Sequence, residues 1–99
     1  MDKSILKSWS KINKLHASMI VECEKIARVA NELFDRSTLK NQLATEISCE
    51  YHIGEGLVLI IEMLDGEAPH HIMIDAFFNL FIEENLNKIK YRDIISRSF

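Results

Sequence analysis

The first third of the chain has apolar side chains at a regular seven-residue spacing. Two rows share this spacing: Ile5, Ile12, Met19, Ile26 and Leu33 in one, and Trp9, His16, Cys23 and Ala30 in the other. On a helical wheel the two rows are adjacent and form one apolar stripe. The pattern therefore predicts a long helix over 4–34, with Ser4 as its N-cap residue.

Residues 39–64 fit two interpretations. Leu39, Leu43, Ile47 and Tyr51 lie four residues apart, which indicates a helix that ends near Asp65-Gly66. Residues 47–53 also alternate between apolar and polar side chains, and the glycines at 54 and 56 are typical of a turn between two strands. We favour the helix because its spacing begins at Leu39 and continues past the glycines, and we keep a hairpin at 45–64 as the alternative.

A third helix is predicted to begin near Pro69, which suits a first helical turn. From Ile72 to Ile82 only Asp75 and Asn79 are polar, and they belong to a row of polar residues at four-residue steps. We therefore expect an all-α fold, a three- to four-helix bundle with a long N-terminal helix, in one domain over residues 1–99. The alternative fold class is α+β with the hairpin at 45–64.

Composition is that of an ordinary globular protein. The chain has 99 residues, of which 47% are hydrophobic and 27% charged. These values exclude a disordered tail, a collagen-like rod and a disulfide-dense scaffold. The longest apolar run, Leu57–Ile61, is far shorter than the roughly 20 residues of a membrane span, so no membrane association is expected. The N-terminus does not resemble a signal peptide, and we expect a cytoplasmic protein whose Cys23 and Cys49 remain thiols.

Charge is distributed unevenly along the chain. Residues 1–40 carry a net charge of +3, residues 41–87 carry nine acidic and no basic residues, and residues 88–99 carry +3. Two basic ends therefore flank an acidic middle. Such a distribution can steer the chain toward a charged partner or toward a second copy of itself.

Reactive side chains in recognisable arrangements are scarce. The sequence contains no phosphate-binding loop, nucleophile elbow, metalloprotease pair or dinucleotide fingerprint. His71 and Asp75 stand four residues apart, but catalysis also needs a nucleophile or a positioned substrate group. We therefore expect a protein that is not an enzyme and that has no cofactor and no metal site.

The leading hypothesis is a small protein that binds, and thereby inhibits or neutralises, another protein with a basic surface. The expected contact residues are the acidic side chains of the central segment: Glu46, Glu50, Glu55, Glu62, Asp65 and Glu67. A homodimer is also expected, because the third segment has more apolar surface than a chain of this size readily buries. Its expected interface consists of Phe77, Phe78, Phe81 and Ile82.

The alternative hypothesis is a regulator that binds nucleic acid through the two basic ends. The candidate phosphate contacts are the basic residues Lys3, Lys7, Lys11, Lys14, Lys88, Lys90, Arg92 and Arg97. A sequence pI near 5.8 weighs against this hypothesis, although a local basic patch is sufficient for binding.

Overall fold

The structure is a computed structural model that describes residues 2–40, 44–63 and 66–99. Its elements follow one another as α1 (Lys3–Asp35), β1 (Ala44–His52), β2 (Gly56–Met63), β3 (His70–Met73), α2 (Ile74–Leu80), a 3₁₀ turn (Glu83–Asn85) and α3 (Tyr91–Arg97). The three strands form one antiparallel sheet in the order β1-β2-β3.

The fold is α+β, so the predicted all-α helical bundle is wrong. The segment expected to be the second helix forms the β1-β2 hairpin, which confirms the alternative interpretation of residues 45–64. The predicted stop at Asp65 lies outside the described residues, as does Leu43, which contributed to the helical spacing.

Local chemistry explains why this segment is a hairpin. Gly54 and Gly56 have φ angles of +88° and +89°, a conformation that residues with a Cβ rarely adopt. In a helix each glycine costs about 1 kcal/mol relative to alanine, whereas in this turn both are favoured. Val58–Ile61 are buried on both faces of the central strand β2, so this strand is a continuous apolar run without alternation.

The long N-terminal helix is confirmed, and α1 spans 33 residues. Its N-cap residue is Asp2 rather than the predicted Ser4. The Asp2 Oδ1 atom accepts hydrogen bonds from both the backbone N–H and the hydroxyl of Ser4, each at 2.7 Å. An ionised carboxylate also interacts favourably with the positive end of the helix dipole.

The core lies between the C-terminal half of α1, the inner face of the sheet and α2. The predicted third helix is wrong for residues 70–73, which form β3, and a helix begins only at Ile74. The rings of Phe77 and Phe81 stack with centroids 4.3 Å apart, and Phe34 of α1 lies 6.0 Å from Phe81. These aromatic contacts join α1 to the second half of the chain.

The C-terminal residues complete the body of the molecule. Ser98 forms a bridge with Ile72, and the Phe99 N–H donates to the His71 carbonyl at 2.9 Å, so the end of the chain covers the outer edge of β3. The Thr38 N–H donates to the Leu86 carbonyl at 2.9 Å. The C-terminal end of α1 is thereby fixed to the C-terminal segment.

Two substitutions of the same type test where the core lies. Ile72 is fully buried and Ile53, in the hairpin turn, is 94% exposed. Ile72→Ala should lower the free energy of unfolding by about 2–5 kcal/mol, because it leaves a cavity. Ile53→Ala should change it by less than about 0.5 kcal/mol. Urea denaturation measures both, and equal effects would contradict this placement of the core.

Candidate macromolecule-binding surfaces

The N-terminal half of α1 extends beyond the body of the molecule. We refer to residues 3–22 as the arm. Every side chain of the arm is exposed except Met19, which is half-buried. The molecule measures 57 × 26 × 21 Å, and a 33-residue helix is roughly 50 Å long, so α1 accounts for most of the long dimension.

Large apolar side chains are exposed along one face of the arm. Ile5 is 56% exposed, Trp9 54% and Ile12 63%. With His16 and Met19 they form a row at spacings of four and three residues, which we call the apolar row. Further exposed apolar residues flank it: Leu6, Leu15 and Ile20. Single exposed apolar residues are common on proteins, but a contiguous row marks an interaction surface.

The same stripe is buried in the second half of α1. Cys23 and Ala30 are buried, and Ile26 and Leu33 pack against the core cluster. The difference between the two halves is the core, whose α1 members lie between Ile26 and Phe34 and which includes Ile47, Leu59 and Ile61 of the sheet. The apolar row is therefore a continuation of a core-forming surface that lacks a covering element within the described residues.

An open groove of about 610 Å³ lies at the base of the arm, between α1 and β1. Its α1 wall includes His16, Met19, Ile20 and Cys23, and Tyr51 lies on the β1 wall. β1 is an edge strand, so part of its backbone faces this groove. The apolar row thus leads directly into a depression of the body.

Asn31 pairs with the backbone of β1 at the inner end of the groove. Its Nδ2 donates to the Ile47 carbonyl at 2.8 Å, and its Oδ1 accepts from the Ile47 N–H at 2.9 Å. The carboxamide therefore replaces a neighbouring strand at this position and joins α1 to the sheet. Asn31 was not among the residues predicted from the sequence. The only feature that could have indicated its role is a polar side chain next to the buried position Ala30.

The two cysteines also line the groove, one from each wall. Cys23 is buried, Cys49 is half-buried, and both are free thiols. Burial, together with the neighbouring Cys23 thiol, raises the pKa of Cys49 to about 12. Cys49 therefore stays protonated at neutral pH and is a poor nucleophile.

The predicted basic residues lie at two separate places. Lys3, Lys7, Lys11 and Lys14 are exposed on the arm, and Lys88, Lys90, Arg92 and Arg97 are exposed on the C-terminal segment. The C-terminal group adjoins the opposite end of α1, where the Thr38 hydroxyl donates to the Ile89 carbonyl. That end lies roughly 30 Å along the helix from Lys14, so the structure does not bring the two groups together.

The predicted acidic residues lie mainly on the sheet face opposite α1. Glu46 and Glu62 are direct cross-strand neighbours, and Glu50 projects from the same face of β1. Glu55 lies in the hairpin turn, Glu67 is exposed, and Asp65 is outside the described residues. Like charges directly opposite each other are unfavourable in a sheet, so this face would gain from a cationic neighbour.

His52 partly supplies such a cation. Its Nε2 lies 2.9 Å from Glu50 Oε2 and its Nδ1 lies 3.4 Å from Glu55 Oε2. The hydrogen bond to Glu50, with a smaller one to Glu55, raises the pKa of His52 above its ordinary value. The charge of this end of the hairpin therefore depends on pH near neutrality.

The residues expected to form a dimer interface lie in different environments. Phe77 and Phe81 are fully buried in the chain's own core, where a second copy cannot contact them. Phe78 is half-buried against that core, and Ile82 is 40% exposed. The exposed apolar surface of the described residues is concentrated instead on the arm.

The histidines of β3 hold structural contacts. His70 Nε2 lies 2.7 Å from the Tyr91 hydroxyl, and the His71 ring lies between those of His52 and Phe99. His71 lies in β3 and Asp75 in α2, so the two residues do not share a helix face. Asp75 instead accepts a hydrogen bond from the Ala76 N–H. Across the described ranges, no group of three or more His, Cys, Asp or Glu side chains is placed to hold a metal ion.

Comparisons with protein-family models, with curated proteins and with solved structures give no match to this chain. Among the described helices, none combines the length and the apolar character needed to cross a bilayer.

Replacing Asn31 tests its role at the edge of β1. Asn31→Ala leaves the outward N–H and carbonyl of Ile47 without this partner, and unfolding should become easier by about 1–3 kcal/mol. Hydrogen exchange at the Ile47 amide should accelerate. The control Glu32→Ala, at the next and exposed position of α1, should leave both measurements unchanged. Unaltered exchange at Ile47 in Asn31→Ala would show that the carboxamide does not protect the strand.

A pH titration tests the contact between His52 and its carboxylates. We expect NMR to give His52 a pKa above its ordinary value, and Glu50→Gln to lower this pKa more than Glu55→Gln does. The interaction should stabilise the fold below the ordinary histidine pKa of about 6.5 and be lost as the pH rises through the raised value. An unchanged pKa of His52 in Glu50→Gln would contradict the assignment.

Proposed function

We propose that this protein acts without catalysis, by binding another protein chain along the apolar row of the arm. The observation that carries the proposal is the exposure of Ile5, Trp9 and Ile12, each more than half accessible on one helix face. Exposed apolar surface is unfavourable in water, and its burial stabilises a complex by about 25 cal/mol for each Å² that is buried. A partner that covers the row gains this energy.

The spacing of the row supports a helical partner surface. Anchors at alternating spacings of three and four residues are typical of helices that dock into grooves or form coiled coils. Tryptophan is among the residues most often found as an energetic anchor at protein interfaces, and Trp9 lies within the row. The lysines of the arm lie off this face, so docking does not require their desolvation.

The acidic side chains of the body have a supporting role in this proposal. Glu46, Glu50 and Glu62 share one exposed face, which favours approach by a basic partner. Their contribution is mainly to the rate and specificity of association and weakens as salt screens the charges. We also propose that the protein works in the reducing cytoplasm, where Cys23 and Cys49 remain thiols.

Nucleic-acid binding is the second candidate function, and one observation favours it. All four lysines of the arm are exposed, and no acidic residue occurs between Lys3 and Val21. A helix with this basic face can contact a phosphate backbone. Because the C-terminal basic group lies at the far end of α1, this candidate depends on the arm alone.

Matched glutamine substitutions separate the two candidates. Ile5→Gln/Ile12→Gln removes two anchors of the apolar row, and Lys7→Gln/Lys11→Gln removes two positive charges, while glutamine preserves helix propensity in both. Tagged chains are used to capture partners from an extract of the source cell, with and without nuclease, and the partners are identified by mass spectrometry.

The proposed function predicts nuclease-resistant capture of a specific protein that the isoleucine variant loses by ~10-fold or more and the lysine variant retains. The second candidate predicts the reverse pattern, with capture abolished by nuclease. Circular dichroism of each variant confirms that the helix is intact. Equal capture by wild type and the isoleucine variant would contradict docking on the apolar row.

A further inference from the structure

We propose that the chain covering the apolar row is the arm of a second copy, which lies antiparallel to the first. This inference rests on the proposed function and names its partner. Two arms paired in this way form a two-helix interface, and each arm tip lies beside the groove at the base of the other arm.

The apolar pattern of the arm is typical of a helix that pairs with an identical helix. The apolar row repeats at spacings of four and three residues, the average of 3.5 that lets two helices stay in contact along their length. Lys3, Lys7, Lys11 and Lys14 all lie outside this row, so two positively charged arms can pair while their ammonium groups remain in water. No charged residue interrupts the row between Ile5 and Met19.

Charge selects the antiparallel orientation. The tip of the arm carries Lys3 and Lys7, whereas the groove at its base is lined by Glu24, Glu46 and Glu50 together with Arg28. Glu22, also at the base, is paired with Lys25. In a parallel pair the four tip lysines would meet at one end and the two acidic bodies would meet at the other. In an antiparallel pair the lysines of each tip lie beside the acidic base of the other copy, and both repulsions become attractions.

The groove gives the tip of the second arm a place to bind. The arm has 20 residues and a length of roughly 30 Å, so full overlap of two arms brings one tip to the base of the other. There the groove presents His16, Met19, Ile20 and Tyr51, and it is also lined by Glu24, Arg28, Glu46 and Glu50. Apolar side chains at the tip thus meet an apolar floor, and the tip lysines, which stay in water, interact with the carboxylates of the body through the solvent.

The oligomeric state is the first test. We expect light scattering to give twice the 11.5 kDa of one chain for the wild type and a monomer mass for Ile5→Gln/Ile12→Gln. Trp9 is the only tryptophan, so its emission should shift to shorter wavelength as the wild-type protein is concentrated. The control Lys11→Gln/Lys14→Gln, at exposed positions off the apolar row and away from the tip, should remain dimeric. A wild-type mass of one chain at the highest soluble concentration would overturn the inference.

Cross-linking tests the orientation. Two single-cysteine proteins are prepared in a background with Cys23→Ala and Cys49→Ala, one with Ser4→Cys and the other with Glu22→Cys. A short bismaleimide should join residue 4 to residue 22 when the two proteins are mixed, and should join neither protein to itself. Cross-links between residue 4 of both copies would indicate a parallel pair and overturn the inference. Circular dichroism and dimer mass confirm that the background retains the fold and assembly.

The outcomes separate this inference from the proposed function. If the wild type is a monomer but captures a different protein through Ile5 and Ile12, the second copy is the wrong partner and the proposed function stands. If it is a monomer and its capture of protein does not depend on those residues, both fail. Dimerisation that persists in Ile5→Gln/Ile12→Gln would place the interface elsewhere and also overturn the inference.

Discussion

The structure depends on one mismatch of length, because α1 is much longer than the sheet on which it packs. The sheet has three strands and, with α2, covers the apolar stripe of α1 only from Cys23 onward. The longest strand, β1, has nine residues and is roughly 30 Å long, so the sheet cannot cover a helix roughly 50 Å long in any orientation. The arm follows directly from this constraint. Its apolar row is exposed because the chain has no further described element to place on it, and the groove lies where the sheet ends.

The sequence was sufficient to predict α1 and the two faces of its arm, because a seven-residue spacing sustained from Ile5 to Leu33 is a strong and local signal. It did not reveal that the two halves of α1 have different environments. Ile12 and Ile26 occupy equivalent positions in the same row, yet Ile12 is 63% exposed and Ile26 packs against the core. Periodicity reports which face of a helix is apolar, whereas exposure depends on how far the sheet extends, which is a property of the tertiary fold.

The hairpin and the third segment were harder to predict for a different reason. The spacing from Leu39 through Ile47 to Tyr51 suits a helix, and a run such as Val58–Ile61, buried on both faces of a strand, shows no alternation to contradict it. The decisive features were the positive φ angles of Gly54 and Gly56, which become visible only in the folded turn. Phe77 and Phe81 were likewise assigned to an interface because three elements this apolar were expected to have more apolar surface than a chain of this size buries alone. The sheet and the end of α1 provide that burial, with Phe34 beside Phe81.

The distribution of charge and apolar surface over the arm explains how such a surface can remain specific. An exposed apolar row alone associates with any apolar surface, so by itself it does not distinguish one partner from another. The lysines on the remaining faces of the arm keep it hydrated and repel other arms that approach in the same direction. The acidic residues at the base and on the hairpin restore attraction for one direction of approach only. Discrimination between orientations thus arises from repulsion in the wrong pairing as much as from attraction in the right one. In the proposed pairing, the uneven charge of the sequence and the uneven burial of α1 act together: burial leaves the apolar row uncovered, and charge restricts the direction from which a second chain binds it.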